Sequence, residues 1–129
     1  MRVVGLGTDV VDIERIDALL SHGKLGQRFR ARVFTATERS DCERRRRSAE
    51  SYAGRFAAKE AVIKALGGPG AWGFPWQEIE IVVDTEGAPS VRLHGRTAGR
   101  ARTRRIDRLH VSIAHGAQVA IAQAIAEGG

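Results

Sequence analysis

Residues 53–66, AGRFAAKEAVIKAL, constrain this chain more than any other segment. Ala, Lys, Glu and Leu are strong helix formers, no glycine follows the first turn, and the run stops at Gly67-Gly68-Pro69-Gly70. The spacing predicts a helix. Ala57, Ala58, Ala61, Val62, Ala65 and Leu66 cover most of its faces, and a helix apolar nearly all round is a buried one. Successive residues turn by about 100°, so Glu60 and Lys64 share one stripe, with Phe56 and Ile63 beside them. A carboxylate and an ammonium in a buried helix cost free energy unless each has a strong partner. An i,i+4 pair at the domain edge, worth only tenths of a kcal/mol, is the plainer account of the same two residues.

The rest of the chain must wrap this helix. With 129 residues there is room for one compact domain, residues 1–129. A domain of that size hides about two-thirds of its unfolded surface, which makes an oligomer plausible. Residues 3–13, VVGLGTDVVDI, are β-branched and read as a strand, where Gly5 and Gly7 admit another backbone or mark a bulge. Ile13 to Leu20 follow a helical pattern that ends near His22-Gly23. Thr35-Ala-Thr-Glu38 has the form of a capping box that opens a polar helix through the Arg run. Residues 67–75 read as a loop, 76–84 as a half-buried strand, and VRLH as its hairpin partner. Residues 96–106 read as helix and LHVSIAH as strand, while VAIAQAIAE fits strand or helix. The fold class is α+β: one layer of small antiparallel sheet with packed helices.

The charge is uneven. Lys and Arg total 21 against 15 Asp and Glu, a net charge of +6, and all but three of the basic residues are Arg. Two blocks, 28–47 and 92–108, hold most of the Arg, whereas Asp9, Asp12, Glu14 and Asp17 form an acidic patch around Arg15. Arginine's planar fork suits phosphate and carboxylate, so an anionic partner and a merely solvated surface are both open. An RNA-docking module is the competing function. Aromatics at only 5%, none of them interleaved with Arg in a stacking pattern, argue against it. No apolar run suffices for a membrane span, and MRVVGLGTDV lacks a signal-peptide h-region, so a cytoplasmic place is expected. Cys42 is a lone bystander.

Asp9 is a second candidate for chemistry, a charge at the end of an apolar strand; its plainer role is a helix cap. Mg²⁺ needs only one or two protein carboxylates, with water and phosphates completing its shell. Asp9 and Glu60 would suffice, with Lys64 and abundant Arg as the other parts of a phosphate site. Ser112 has no elbow glycines and reads as a strand residue; His110 and His115 read as polar strand ends.

Three blocks then become recognisable. Gly5-Leu-Gly-Thr-Asp9-Val-Val-Asp-Ile-Glu-Arg15-Ile, Gly54-Arg-Phe-Ala-Ala-Lys-Glu60-Ala-Val-Ile-Lys64-Ala-Leu-Gly67 and His110-Val-Ser-Ile-Ala-His115 together resemble the holo-acyl-carrier-protein synthases. These are the small trimeric class of 4′-phosphopantetheinyl transferases, and the likeness spans nearly the whole chain. The resemblance implies transfer of the phosphopantetheine arm of coenzyme A, the co-substrate, to a serine of apo-acyl carrier protein. Asp9 and Glu60 match the family's Mg²⁺ carboxylates, and Lys64 matches a lysine that reaches the pyrophosphate. Arg55, Gly67 and His110 match cofactor-binding positions, with Arg46 and Arg47 as weaker candidates for the 3′-phosphate. Arg15 and Arg28 match positions that meet the acidic carrier. A homotrimer with sites at its subunit interfaces is implied; nucleic acid and membrane are not. A structural trimer with a degenerate site is disfavoured because Asp9, Glu60 and Lys64 are all present. The loop 67–75 is longer and more aromatic than the family pattern, and much of the 92–108 block has no implied task.

Overall fold

The β-branched N-terminus forms β1 (Arg2–Asp12) and turns directly into α1 (Ile13–Leu20), where the Asp12 side chain accepts the Glu14 amide as N-cap. The cap that the sequence offered to Asp9 thus belongs to Asp12. The computed structural model describes residues 1–71 and 73–129; Trp72, in the predicted loop 67–75, lies outside the described residues. A second helix, α2 (Gly23–Val33), starts where the first was expected to end. The predicted capping box opens α3 (Ala36–Arg44), with Thr35 and Glu38 each accepting the other's backbone N–H. The long helix α4 (Ser48–Ala65) begins five residues before the predicted start. A 3₁₀ turn at Trp76–Glu78 leads into the hairpin β2 (Ile79–Val83) and β3 (Pro89–Leu93). Helix α5 (Gly95–Thr103) and the hairpin β4 (Ile106–His115) and β5 (Val119–Gly128) complete the chain.

The fold class is α+β, as expected, but the strands divide into two sheets instead of one layer. The first has the antiparallel order β1-β5-β4; the second is the β2–β3 hairpin. Small residues bring α4 flush onto the first sheet. Ala120, Ala122, Ala124 and Ala126 of β5 are buried beneath it, opposite Ala57, Ala58, Ala61 and Ala65. A Cβ at Gly5 or Gly7 would run into the carbonyl oxygen of Ala65 or Ala61. Both sequence readings of these glycines hold, since the β1–β5 register also shifts between Val3 and Gly5. Side chains alternate along a strand, so Gly5, Gly7 and Asp9 face α4 together.

The other face of this sheet is apolar and open. Leu6 is 67% exposed and Val10 59%, with Ile121 and Ile125 beside them on β5. On the helical side, aromatic rings run edge to face from Tyr52 through Phe34 and Phe29 to Phe56, then to Trp76 and Phe74. An ion pair is buried among them. Lys59 Nζ meets Glu38 Oε1 at 2.8 Å, and both side chains are fully buried. Lys59 also donates to the carbonyls of Trp76 and Ile79, while Glu38 Oε2 accepts the Ile81 amide at 2.7 Å. One pair thereby ties together α3, α4, the 3₁₀ turn and β2.

Candidate active site

Asp9, Glu60 and Lys64 meet where α4 crosses the edge strand β1. Close approach at Gly7 brings the Glu60 turn of the helix against the strand, so that the Glu60 carboxyl comes near enough to that of Asp9 to hydrogen-bond it when protonated. Lys64 reaches across to the strand, donating to the Thr8 carbonyl at 2.8 Å and to Asp9 Oδ1 at 3.3 Å. The i,i+4 account of Glu60 and Lys64 is therefore incomplete: Lys64 binds β1, and the largest charge effect on Glu60 comes from Asp9 on that strand. Burial, then the adjacent Asp9 carboxylate and its hydrogen bond, push the Glu60 carboxyl up to about 7, and Lys64 pulls it only partway back. Two carboxylates this close repel one another, and a cation between them relieves that repulsion. Their hard oxygen donors fit Mg²⁺, which needs no larger protein cage when phosphates and water fill its shell. Among the described residues no group of three or more His, Cys, Asp or Glu side chains forms such a cage.

A second polar site lies towards the N-terminal end of the same helix. Arg55 is about 7.5 Å along the axis from Glu60. It is buried, donates to Ser51 Oγ, and pairs with Asp41. Burial would raise the Asp41 carboxyl, but the Arg45 hydrogen bond and the charges of Arg55, Arg45 and Arg44 hold it below the ordinary carboxylate range. Among the described residues, Arg55 Nε is the buried side-chain nitrogen with no hydrogen-bond partner. Next to it opens a cavity of about 470 Å³ lined by Arg45, Arg46, Arg47, Arg55, Gly54 and His115. Four guanidiniums around one cavity suit a phosphate-bearing ligand, and an acceptor from it would satisfy the orphaned Nε.

The 4′-phosphopantetheinyl transferase superfamily model matches residues 5–122. The chain belongs to that superfamily. It is 44% identical over 127 residues to a holo-acyl-carrier-protein synthase of Anaeromyxobacter sp. (strain K), covering 98% of this chain and 97% of the relative. The crystal structure of the Neisseria meningitidis holo-acyl-carrier-protein synthase superposes with a TM-score of 0.85 at 31% identity, covering 98% of this chain and 99% of that one. The Helicobacter pylori holo-acyl-carrier-protein synthase in complex with coenzyme A gives 0.78 at 31% identity, covering 95% and 99%.

Within this superfamily member the expected residues fall into five places. Asp9, Glu60 and Lys64 converge as described. Arg55, Arg46 and Arg47 gather at the cavity of the second site. His110 stands apart, on the open face of the sheet, with Nε2 at 2.6 Å from Glu127 Oε1. Gly67 closes α4 with φ at +94°, and the space a Cβ would need there is filled by the Arg104 guanidinium. Arg15 on α1 and Arg28 on α2 are exposed, and Arg28 lines a shallow hollow with Lys24 and Leu25. Ser112 faces out of β4 opposite Gln123. Sequence reading missed Asp41, Ser51 and the placing of His115. Ser51 and Arg55 were legible as an i,i+4 pair; Asp41 meets Arg55, and His115 reaches the cavity, only through tertiary folding. His115 Nε2 lies 3.2 Å from the Glu50 carbonyl, packed against Gly54.

Proposed function

We propose that this chain, as a single transferase domain over residues 1–129, moves the 4′-phosphopantetheine group of coenzyme A to a serine hydroxyl of apo-acyl carrier protein. Adenosine 3′,5′-bisphosphate is released. The observation that carries the reading is the convergence of Asp9, Glu60 and Lys64 across the β1–α4 contact. The serine oxygen forms a bond to the phosphorus bearing the pantetheine arm, the bond from that phosphorus to the bridging oxygen breaks, and the bisphosphate leaves with the electron pair. The serine proton passes to a carboxylate or water beside the Asp9–Glu60 pair. Catalysis of this kind is chiefly positioning and charge neutralisation. Lys64 neutralises a pyrophosphate oxygen, and the Thr8 carbonyl and Asp9 hold its ammonium in place. Asp9 and Glu60 would hold Mg²⁺, which when bound supplies Lewis-acid polarisation of phosphoryl oxygens. Arg55, Arg46 and Arg47 bind the phosphates at the nucleotide end, and the orphaned Arg55 Nε supports that role.

The open face of Leu6, Val10, Ile121 and Ile125 supports a homotrimer, because an apolar patch of this kind marks an interaction surface. His110 on that face would then contribute to a neighbouring subunit's cofactor site, and Gly67 would approach the same ligand from the end of α4. Arg15 and Arg28 dock the acidic carrier, consistent with their exposure. No helix among the described residues is long and apolar enough to cross a membrane, and the reading places the enzyme in the cytoplasm. The test is to mix the protein with apo-acyl carrier protein, coenzyme A and Mg²⁺ and follow the carrier's mass. The carrier should gain one phosphopantetheine arm. An unchanged carrier beside folded protein would end this reading.

A further inference from the structure

Two arginines of the 92–108 block, otherwise without a task in the reaction, close on the end of the catalytic helix. Arg104 donates to the carbonyl of Leu66, and Arg100 to that of Gly68. They lie four residues apart, Arg100 in α5 and Arg104 as its C-cap, and so share one stripe. The backbone already closes α4 without them. Gly67 donates its N–H to the Lys64 carbonyl and Gly68 to the Ile63 carbonyl, with Gly67 in the left-handed region that such a stop requires. The guanidiniums add charge to a terminus that is already formed.

That charge has an electrostatic consequence at Lys64. The C-terminal end of a helix carries about half a negative elementary charge and repels anions near its last turn. Lys64 sits in the last turn of α4 and reaches out from it to Asp9 and Thr8. A pyrophosphate held there meets Lys64, with Asp9 and Glu60 beside it and the negative helix end at Leu66 about 9 Å further along the axis from Glu60. We infer that Arg100 and Arg104 are positioning residues forming a cationic cap on α4, which strengthens binding of a polyanionic pyrophosphate substrate at Lys64. The inference rests on the reading that Lys64 meets the pyrophosphate of coenzyme A.

The test compares wild type with Arg104→Met, Arg100→Met and Arg104→Lys, measuring transfer kinetics against coenzyme A at low and high salt. Calorimetric titration with coenzyme A, which needs no carrier, and thermal midpoints by circular dichroism accompany it. Each Met variant should raise KM and the calorimetric Kd for coenzyme A about threefold to fivefold at low salt, with kcat within about twofold of wild type. The difference should shrink at high salt, and Arg104→Lys should keep most of the affinity. An unchanged KM in both Met variants overturns the cap. So does a fall in kcat and thermal midpoint together at constant KM, which is the signature of a plain structural brace. Arg104→Lys matching Arg104→Met would show that charge is not the agent. Should Arg104→Met fail to fold, Arg100→Met carries the same comparison. A wild type that binds coenzyme A but never loads the carrier removes the transferase reading and leaves the binding comparison to judge the cap.

Discussion

Lys59 and Glu60 are neighbours in the chain with opposite fates, because 100° of helical turn separates an interior direction from the β1 edge. The interior position costs Lys59 its water, and burial pulls its ammonium below the ordinary lysine range, with the Glu38 charge partly offsetting it. Such a pair is fragile to removal of one member alone. Lys59→Ala should destabilise the fold by about 3–5 kcal/mol, since it leaves the Glu38 carboxylate buried without its partner. Lys59→Met combined with Glu38→Gln should cost less than Lys59→Ala, and urea unfolding at neutral pH compares them. The sequence places Lys59 beside Glu60 but offers no sign that this Lys is buried, because Glu38 lies 21 residues away on another helix. Arg105 tells a simpler story: it sits at φ 58°, and its side chain is exposed. That conformation costs a non-glycine residue roughly 1–2 kcal/mol, while glycine's extra unfolded freedom takes back about 0.5–1 kcal/mol. Arg105→Gly should therefore raise the thermal midpoint by a few degrees; a lower midpoint would show that the side chain has a hidden partner.

At the scale of elements, pattern proved a better guide than propensity. VAIAQAIAE suits helix by composition, yet its alanines recur every second residue, and that period lays Ala120, Ala122, Ala124 and Ala126 under α4 as a strand. The capping box at Thr35 and the stop at Gly67 were legible because each is a local device. Helix α2 was not, since GKLGQRFRARV has two glycines and an Arg-rich face and forms by packing Phe29 and Val33 inward. The start of α5 depends on a tertiary contact as well. Glu78 accepts both the hydroxyl of Thr97 at 2.7 Å and its amide at 2.9 Å. The Thr97 hydroxyl bond, against a smaller opposing effect of burial, holds the Glu78 carboxyl below its ordinary 4.5. A carboxyl lowered by folding adds stability that is present above its unfolded value and is lost as pH falls through the folded one. Thr97→Val should therefore reduce stability at neutral pH and flatten the acid-side decline below about pH 4.5, as read from chemical unfolding across pH. An unchanged acid slope would place that decline at other carboxylates.

For the whole molecule, one crossing of helix on strand organises both the fold and the candidate chemistry. The glycines that let α4 meet β1 also bring Glu60 against Asp9, so three of the expected site residues converge, while His110 lies on the far face of the sheet. A single chain leaves that face uncovered. Sedimentation should give a trimer, and Leu6→Asp with Val10→Asp should yield smaller species with reduced transfer; a monomeric wild type with full activity would contradict shared sites. The +6 charge acquires a distribution instead of a sum: guanidiniums at the cavity beside Arg55, at the end of α4, and on the surface of α1 and α2. Arg15→Ala with Arg28→Ala should raise KM for the carrier and weaken its salt dependence, and an unaltered salt response would place docking elsewhere. The central claim is that the Asp9–Glu60 pair performs the transfer, and Glu60→Gln tests it most directly. Followed by carrier mass beside wild type, with circular dichroism confirming a native fold, Glu60→Gln should slow transfer by about a hundredfold or more. Wild-type rates in that variant would contradict the account.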